Sequence, residues 1–349
     1  MSPVSASVAG LGEPRRVAVL RALHLGDLLC AIPAMRSLRA LFPKASILLI
    51  GLPWARDFVR RFAGMLDGFL EFPGYPGLTD RPAQDALDFY RQAAALQLDL
   101  AVQMHDDGSI TNGIVARLGA RRAAGFRRKG APPPACMDTI PWPDDGPEIR
   151  RLLSLAGHLG APMCGEETLW PVTAEDIGEL KASTPAGALR AGRYAVLVPG
   201  AREPARRWPP ECFARIADRL AMSGLSIVLS GSAREIELTR EVSLRMKAPA
   251  LDLGGSLGPG GLGALLSDAR LLLGNDTKVS HMAAALRVPS VIVYTVSDPG
   301  RWAPLDSTIH RRVVLQEADP DSRNPRHARP VEADLVWREV LSLLELEPA

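Results

Sequence analysis

Two kinds of hydrophobic spacing alternate along this chain. Short continuous apolar runs stand at 16–23, 47–50, 98–104, 194–198, 226–229, 271–273 and 291–294. Such runs predict strands buried inside a sheet. Between them the apolar positions fall three and four apart. Leu28, Ile32, Met35 and Leu38 predict a helix over 28–41, with Pro33 in its first turns, where a missing N–H costs little, and Phe42-Pro43 as its stop. Phe213, Ile216, Ala217 and Leu220 predict another over 211–223. Further helices are expected at 110–118, 149–159 and 235–246, with a short one after the glycine-rich run 254–263 and an amphipathic last one at 331–344. Strand and helix in alternation mean an α/β architecture. From 173 to 192 the pattern fades into Ala, Gly, Pro and charge, with a short helix at 175–181, and this stretch reads as a linker. The expected division is a first domain over 1–172, a second over 193–330 and a C-terminal helix within 331–349.

At 349 residues the chain is long enough for two domains that each bury a core. It is 47% hydrophobic and 23% charged, as a globular protein is, and a net charge of +2 gives no indication of nucleic-acid binding. The cations nevertheless gather in two groups, Arg121, Arg122, Arg127, Arg128 and Lys129, then Arg202, Arg206 and Arg207. Each is either a solvated face or a surface that receives phosphates. Cys30, Cys136, Cys164 and Cys212 lack any zinc or redox spacing, which fits a reducing compartment. Residues 1–14 lack a basic region followed by an apolar core, and no apolar run reaches the roughly 18 residues that span a bilayer. The expectation is a cytoplasmic enzyme, with loose association to a membrane face left open.

The candidate chemistry lies where strands end, the edge at which open α/β sheets bind ligands. The run 271–273 ends in Gly-Asn-Asp276-Thr277-Lys278, and a helix carrying His281 starts at once. Free N–H groups and the positive end of a helix dipole suit an anion such as a diphosphate there, and Lys278 and His281 can add to it. After the first strand, Gly26-Asp27 leads into a helix. Asp27 is either a helix cap or a general base for an attacking hydroxyl. The loop 199–209 combines Gly200, which lets backbone approach a ligand, with Arg206 and Arg207, whose guanidinium forks match phosphate oxygens, and with Trp208-Pro209. At the next strand end Glu235 either accepts from ribose hydroxyls or favours its helix dipole as a first-turn acid. His105-Asp106-Asp107 and Asp319-Pro-Asp321 have the look of metal ligands but read better as loop polar groups. No G-x-G-x-x-G follows the first strand, and no G-x-x-x-x-G-K-[ST] loop occurs. These absences argue against a nicotinamide dehydrogenase and a P-loop NTPase.

Taken together, the loops resemble glycosyltransferase family 9, the ADP-heptose:lipopolysaccharide heptosyltransferases. The resemblance rests on Gly26-Asp27 with Ile32-Pro33-Ala34 and Leu38-Arg39, and on Pro199-Gly200-Ala201 with Arg206-Arg207-Trp208-Pro209. It rests also on Gly274-Asn275-Asp276-Thr277 with His281 and Ala283-Ala284-Ala285, and on Asp298-Pro299 with Trp302-Ala303-Pro304. It implies a GT-B architecture, two Rossmann-like domains with parallel sheets facing across a cleft. It implies an ADP-sugar donor on the C-terminal domain and an acceptor, a glycan or lipopolysaccharide core, on the N-terminal one. It further implies inversion at the anomeric carbon with neither metal nor cofactor, the ADP-sugar being a substrate. The family's base matches Asp27, and its phosphate-contacting lysine matches Arg206. Its Asp-Thr-Gly-x-x-His loop matches Asp276, Thr277, Lys278 and His281. Lys278 stands where the family has glycine, and a position needing positive φ would strain it.

The donor site expected from this reading is Gly200, Arg206, Arg207, Glu235, Asp276, Thr277, Lys278 and His281, with Asp27 as base. Arg56, Arg60 and Arg61, after the second strand, are candidates for an anionic acceptor, as are residues 121–129. Two other readings stay open: a GT-B transferase using a different nucleotide sugar, and a catalytically silent sugar-nucleotide or glycan binder. Nucleic acid is not an expected partner.

Overall fold

The computed structural model describes residues 13–78, 86–185, 188–314 and 333–345. The Asp319/Asp321 pair lies outside them. The chain divides into two compact units, Met1–Glu167 and Thr168–Ala349.

The first unit runs β1 (Arg16–Leu20), α1 (Leu25–Leu41), β2 (Ser46–Gly51), α2 (Ala55–Arg61), β3 (Gly68–Glu71), α3 (Ala86–Ala95), β4 (Leu100–Gln103), α4 (Thr111–Val115), β5 (Arg122–Arg127), β6 (Asp138–Pro141) and α5 (Glu148–His158). Its six strands lie in the order β3-β2-β1-β4-β5-β6, and every neighbouring pair is parallel. The second unit runs α6 (Ala174–Ser183), β7 (Tyr194–Val198), α7 (Pro210–Met222), β8 (Ser226–Gly231), α8 (Ile236–Arg245), β9 (Ala250–Gly254), α9 (Pro259–Ser267), β10 (Leu271–Asn275), α10 (Lys278–Leu286), β11 (Ser290–Tyr294), α11 (Pro299–Trp302), β12 (His310–Val314) and α12 (Ala333–Leu344). Its strands, again all parallel, lie in the order β12-β11-β10-β7-β8-β9. Counted from the first strand of each unit, both sheets have the Rossmann order 3-2-1-4-5-6. The order reverses between β1 and β4 in one and between β7 and β10 in the other, and ligands bind in the crevice at such a point.

The continuous apolar runs are what parallel strands covered on both faces require. All five residues of β7, β10 and β11 are buried. One face of the second sheet packs Leu197, Leu229, Leu273 and Val293 against Phe213, Ile216 and Leu220 of α7 and against Val336, Val340 and Leu343 of α12. In the first unit Leu20, Ile50 and Ala101 meet Phe72, Phe89 and Leu118. Full burial of such side chains contributes about 1.5–3 kcal/mol each.

Two expectations change. The first helix starts at Leu25 rather than Leu28, so Gly26 and Asp27 belong to its first turn and Pro33 lies well inside it. Burial of twelve of its seventeen residues holds the helix together past that missing donor. The stretch 173–192 carries a full helix, α6, with a Thr173–Asp176 capping box, and it belongs to the second unit. Glu179 of α6 accepts from the backbone N–H groups of Gly258 (2.6 Å) and Gly261 (2.8 Å) at the start of α9. The weak periodicity reflects a helix whose one buried residue is polar, Asp176. Strands β3, β5, β6, β9 and β12 carry too short or too polar a pattern to stand out.

Candidate functional site: two strand-end switch points

At the first switch point, Asp27 is the third residue of α1, and His24 takes the N-cap position. The Asp27 Oδ2 accepts from the His24 backbone N–H at 3.2 Å. Asp27 therefore performs half of a capping box and is not itself the cap, and no described residue donates to its Oδ1. Its carbonyl accepts from Arg21 Nε at 2.9 Å. Arg21 is fully buried: Nη1 donates to the Met104 carbonyl, and Nη2 meets Glu148 Oε1 at 3.0 Å, with Glu148 equally buried. One guanidinium thus ties the end of β1 to the end of β4, to the first turn of α1 and to α5. The sequence carries a signal for this, since a charged residue inside a buried run demands a partner.

Across from Ala22, at the end of β4, stands His105. Its Nδ1 accepts the Ala22 N–H at 3.2 Å. The following turn is locked by Asp106, whose Oδ1 accepts from Gly108 N (2.8 Å), Thr111 Oγ1 (2.5 Å) and Gln103 Nε2 (2.9 Å). His105-Asp106-Asp107 therefore organise a loop. Among the described residues no group of three or more His, Cys, Asp or Glu is placed to hold a metal ion.

The acceptor candidates are less concentrated. Arg56 opens α2 near the strand ends, over the Phe69 ring (4.9 Å) and 3.7 Å from Glu71. Arg60 pairs with Asp57, and with Arg61 it lies in the last turn of α2, which runs back from that edge. The cluster 121–129 is split by β5. Arg121 sits before the strand beside Asp99 (3.4 Å), while Arg128 and Lys129 follow it, beside Asp107 (3.8 Å) and Asp144.

At the second switch point Asn275, fully buried at the end of β10, holds the loop after β7. Its Oδ1 accepts from Trp208 N at 2.9 Å, and its Nδ2 donates to the Pro199 carbonyl at 2.8 Å. Thr295 Oγ1, beyond β11, donates to the Ala205 carbonyl at 2.8 Å. The loop is anchored further by Trp208, fully buried and edge-on to Phe213 (5.1 Å). These anchors put Arg206 beside Asp276 (3.9 Å) and Glu203 (3.5 Å), with Asp276 buried. Arg207 turns inward, its Nε donating to the Ala201 carbonyl at 2.9 Å, so only Arg206 of the pair sits beside Asp276. Glu235 closes a capping box with Ser232 at the helix start, Oε2 accepting from Ser232 N and Oγ, each at 2.7 Å. Oε1 would lie 2.2 Å from a Cβ at position 200, so any larger residue there would push the Glu235 carboxylate aside.

Thr277 caps α10 without a side-chain cap bond, leaving its hydroxyl for other partners. Lys278 is the first helical residue and is exposed. Among the described residues, the two non-glycine positions with positive φ are Gln97 and Arg287, so Lys278 is unstrained. His281, buried one turn on, meets the Trp302 ring edge-on at 6.2 Å. Trp302 ends α11, which Asp298 caps through Gly300 N at 2.7 Å. Gly200, Arg206, Glu235, Asp276, Thr277, Lys278 and His281 thus share the C-terminal edge of one sheet. Asn275 escapes a reading of the sequence because a buried amide inside an apolar run announces no ligand; it announces a loop that needs fixing.

Asn275→Leu is expected to leave the Trp208 N–H and the Pro199 carbonyl unsatisfied, at about 1–3 kcal/mol for each group. The urea midpoint should fall accordingly. An unchanged midpoint would show that the loop does not depend on this residue.

The profile of glycosyltransferase family 9 (heptosyltransferase) matches residues 88–330. The chain belongs to that family. It is 28% identical over 190 residues to lipopolysaccharide heptosyltransferase 2 of Escherichia coli K12, a match over 52% of this chain and about half of that protein (53%). It is 26% identical over 315 residues to lipopolysaccharide heptosyltransferase 2 of Salmonella typhimurium, covering 86% of this chain and 88% of the relative. The solved structure of E. coli ADP-heptose lps heptosyltransferase II superposes with a TM-score of 0.73 at 22% identity, over 96% of this chain and 100% of the other, a likeness of fold. The architecture is thus the GT-B class of that family, two Rossmann-like units. Among the described residues no helix is long and apolar enough to cross a membrane.

Two buried histidines are expected to make the stability of this family member depend on pH. Burial, with Arg21 adding to it against Asp106 and Asp27, pushes His105 down to about 4. Burial likewise pushes down His310, whose Nδ1 lies 2.8 Å from Ser290 Oγ, to about 4. Below the ordinary histidine value of about 6.5 the unfolded chain takes up protons that the folded chain refuses. The associated stability is complete above pH 6.5 and drains away toward pH 4, at about 2 kcal/mol per histidine by pH 5. Urea midpoints at pH 7 and pH 5 check this; equal values contradict it.

Proposed function

We propose that this protein is an inverting glycosyltransferase that moves heptose from ADP-heptose to a lipopolysaccharide core or a related glycan. The observation that carries the reading is that the two Rossmann-ordered sheets bear complementary chemistry at their switch points. One presents a carboxylate with a free oxygen, Asp27. The other presents the opening of a nine-residue helix among Arg206, Thr277 and Lys278. In an inverting displacement the acceptor hydroxyl attacks the anomeric carbon as the diphosphate leaves from the opposite face. Asp27 takes the hydroxyl proton. Arg206, Lys278, the Thr277 hydroxyl and the first N–H groups of α10 stabilise the negative charge that develops on the leaving diphosphate, each well-placed donor supplying roughly 3–4 kcal/mol. Glu235 offers a carboxylate oxygen to the ribose. His281, packed on Trp302, orients the loop. Arg56 and Lys129, near the strand ends of the first unit, are the candidates for acidic groups of the acceptor.

Lys278 in an unstrained first turn gives no support to a silent sugar-nucleotide binder, since the cation adds to a phosphate site instead of distorting it. The donor assignment draws on the family and on the heptosyltransferase relatives. The test is to incubate the protein with a deacylated lipopolysaccharide core oligosaccharide and, in turn, ADP-heptose, UDP-sugars and GDP-sugars, and to measure the nucleoside diphosphate released. Acceptor-dependent release of ADP is expected, unchanged by EDTA; release of UDP or GDP instead would overturn the donor assignment.

A further inference from the structure

The transfer chemistry leaves one buried group at the first switch point unused. His105 is 6% exposed. It stands directly across the β1–β4 ladder, two residues beyond the Leu20–Gln103 pair, where the strand order reverses. Because Nδ1 accepts the Ala22 N–H, the neutral ring carries its one proton on Nε2. No hydrogen bond to Nε2 is formed by any described residue. The Asp106 turn on one side and the Arg21–Met104 contact on the other hold its backbone in place, and the Ala22 N–H orients the ring. The charged groups around it are Asp106 on its own turn, Arg21 at the end of β1 and Asp27 in the first turn of α1. The result is a neutral N–H donor at the first switch point, in the electrostatic reach of the carboxylate read as the base; Nε2 is not among the sealed polar atoms that lack a partner, so a group from outside the protein can reach it.

We propose that His105 is an acceptor-binding residue. Its Nε2–H donates a hydrogen bond to an oxygen of the acceptor sugar while Asp27 accepts one from the attacking hydroxyl. The inference rests on the reading of Asp27 as the base. Two contacts of opposite polarity, one donor and one acceptor, fix the sugar in rotation as well as in place, so the attacking oxygen is aimed and not merely held close. A neutral imidazole suits this work, because it adds no charge that would lower the basicity of Asp27.

Two substitutions separate the substrate contact from the structural one. In His105→Asn the side-chain oxygen reproduces Nδ1 and can still take the Ala22 N–H, but nothing replaces Nε2. In His105→Gln the amide nitrogen reaches the Nε2 position. Steady-state transfer to deacylated lipopolysaccharide core oligosaccharide is measured alongside ADP-heptose affinity and the thermal midpoint. We expect His105→Asn to lower kcat/KM for the acceptor at least tenfold, with donor affinity within twofold and little change in thermal midpoint, and His105→Gln to recover most of that loss. An Asn variant with wild-type kcat/KM for the acceptor overturns the proposal. So does an equal loss in both variants that follows the thermal midpoint, which would mark a purely structural histidine. Failure of the underlying reading shows separately, as Asp27→Asn retaining wild-type turnover, and the His105 contact falls with it.

Discussion

Asp27→Asn is expected to lower the rate of glycosyl transfer by about 10²–10⁴-fold, the contribution of a positioned general base. The substitution is nearly isosteric. The amide oxygen can still accept the His24 N–H, and the Arg21 contact runs to the backbone carbonyl, so the first turn of α1 keeps its anchors. The oxygen left free in the wild type is therefore what changes: a carboxylate oxygen that can take a proton becomes an amide that cannot. Acceptor-dependent ADP release, measured at saturating substrates, reads the effect. The thermal midpoint should hold. A variant that keeps more than about a tenth of the wild-type rate would mean that the proton leaves by another route.

Arg21→Met is expected to destabilise the protein by about 3–5 kcal/mol, the cost of breaking a buried ion pair from one side. It deprives Glu148, itself 1% exposed, of its guanidinium partner. It also strips donors from the carbonyls of Met104 and Asp27. The companion test is Arg21→Met with Glu148→Leu. Removing both charges replaces an ion pair by apolar packing, which is often close to neutral, so the double variant should recover most of the lost stability. Urea unfolding of the two single variants and the double one closes the cycle. If the losses simply add, the pair is not coupled and the role given to Arg21 is wrong. The double variant is also expected to transfer more slowly than its stability implies, because Arg21 Nε no longer holds the turn that carries Asp27.

Much of this is legible in the sequence. Parallel strands buried on both faces advertise themselves as unbroken apolar runs, so β1, β2, β4, β7, β8, β10 and β11 stand out, and with them the strand ends that carry Asp27, Gly200 and Asp276. The edge strands β3, β6, β9 and β12 do not, because short or half-exposed strands need not be apolar throughout. Helix α6 is legible only as a short helix within a linker for a related reason: Glu179 binds the start of α9 and Asp176 is the buried residue, so polar atoms do the docking that periodicity looks for in apolar ones. At the sites, residues whose chemistry is local can be named from their neighbours. Those defined by tertiary contact cannot. Arg207 looks like the twin of Arg206 in sequence, yet its guanidinium lies on the Ala201 carbonyl. His105 looks like loop polarity, and Asn275 like part of a motif, where each is a buried group serving a segment distant in the chain. At Lys278 the sequence leaves strain conditional on a positive φ, and the regular first turn removes the condition.

The proposed mechanism divides labour between the two units, with the base on the first and the diphosphate grip on the second. Calorimetric titration of ADP-heptose into Asp27→Asn and into Arg206→Ala tests that division head-on. Asp27→Asn should bind the donor within twofold of wild type, while Arg206→Ala, which loses a charge-assisted contact, should bind at least tenfold more weakly. Donor affinity that collapses in the Asp27 variant, or that is untouched in the Arg206 variant, would contradict the division.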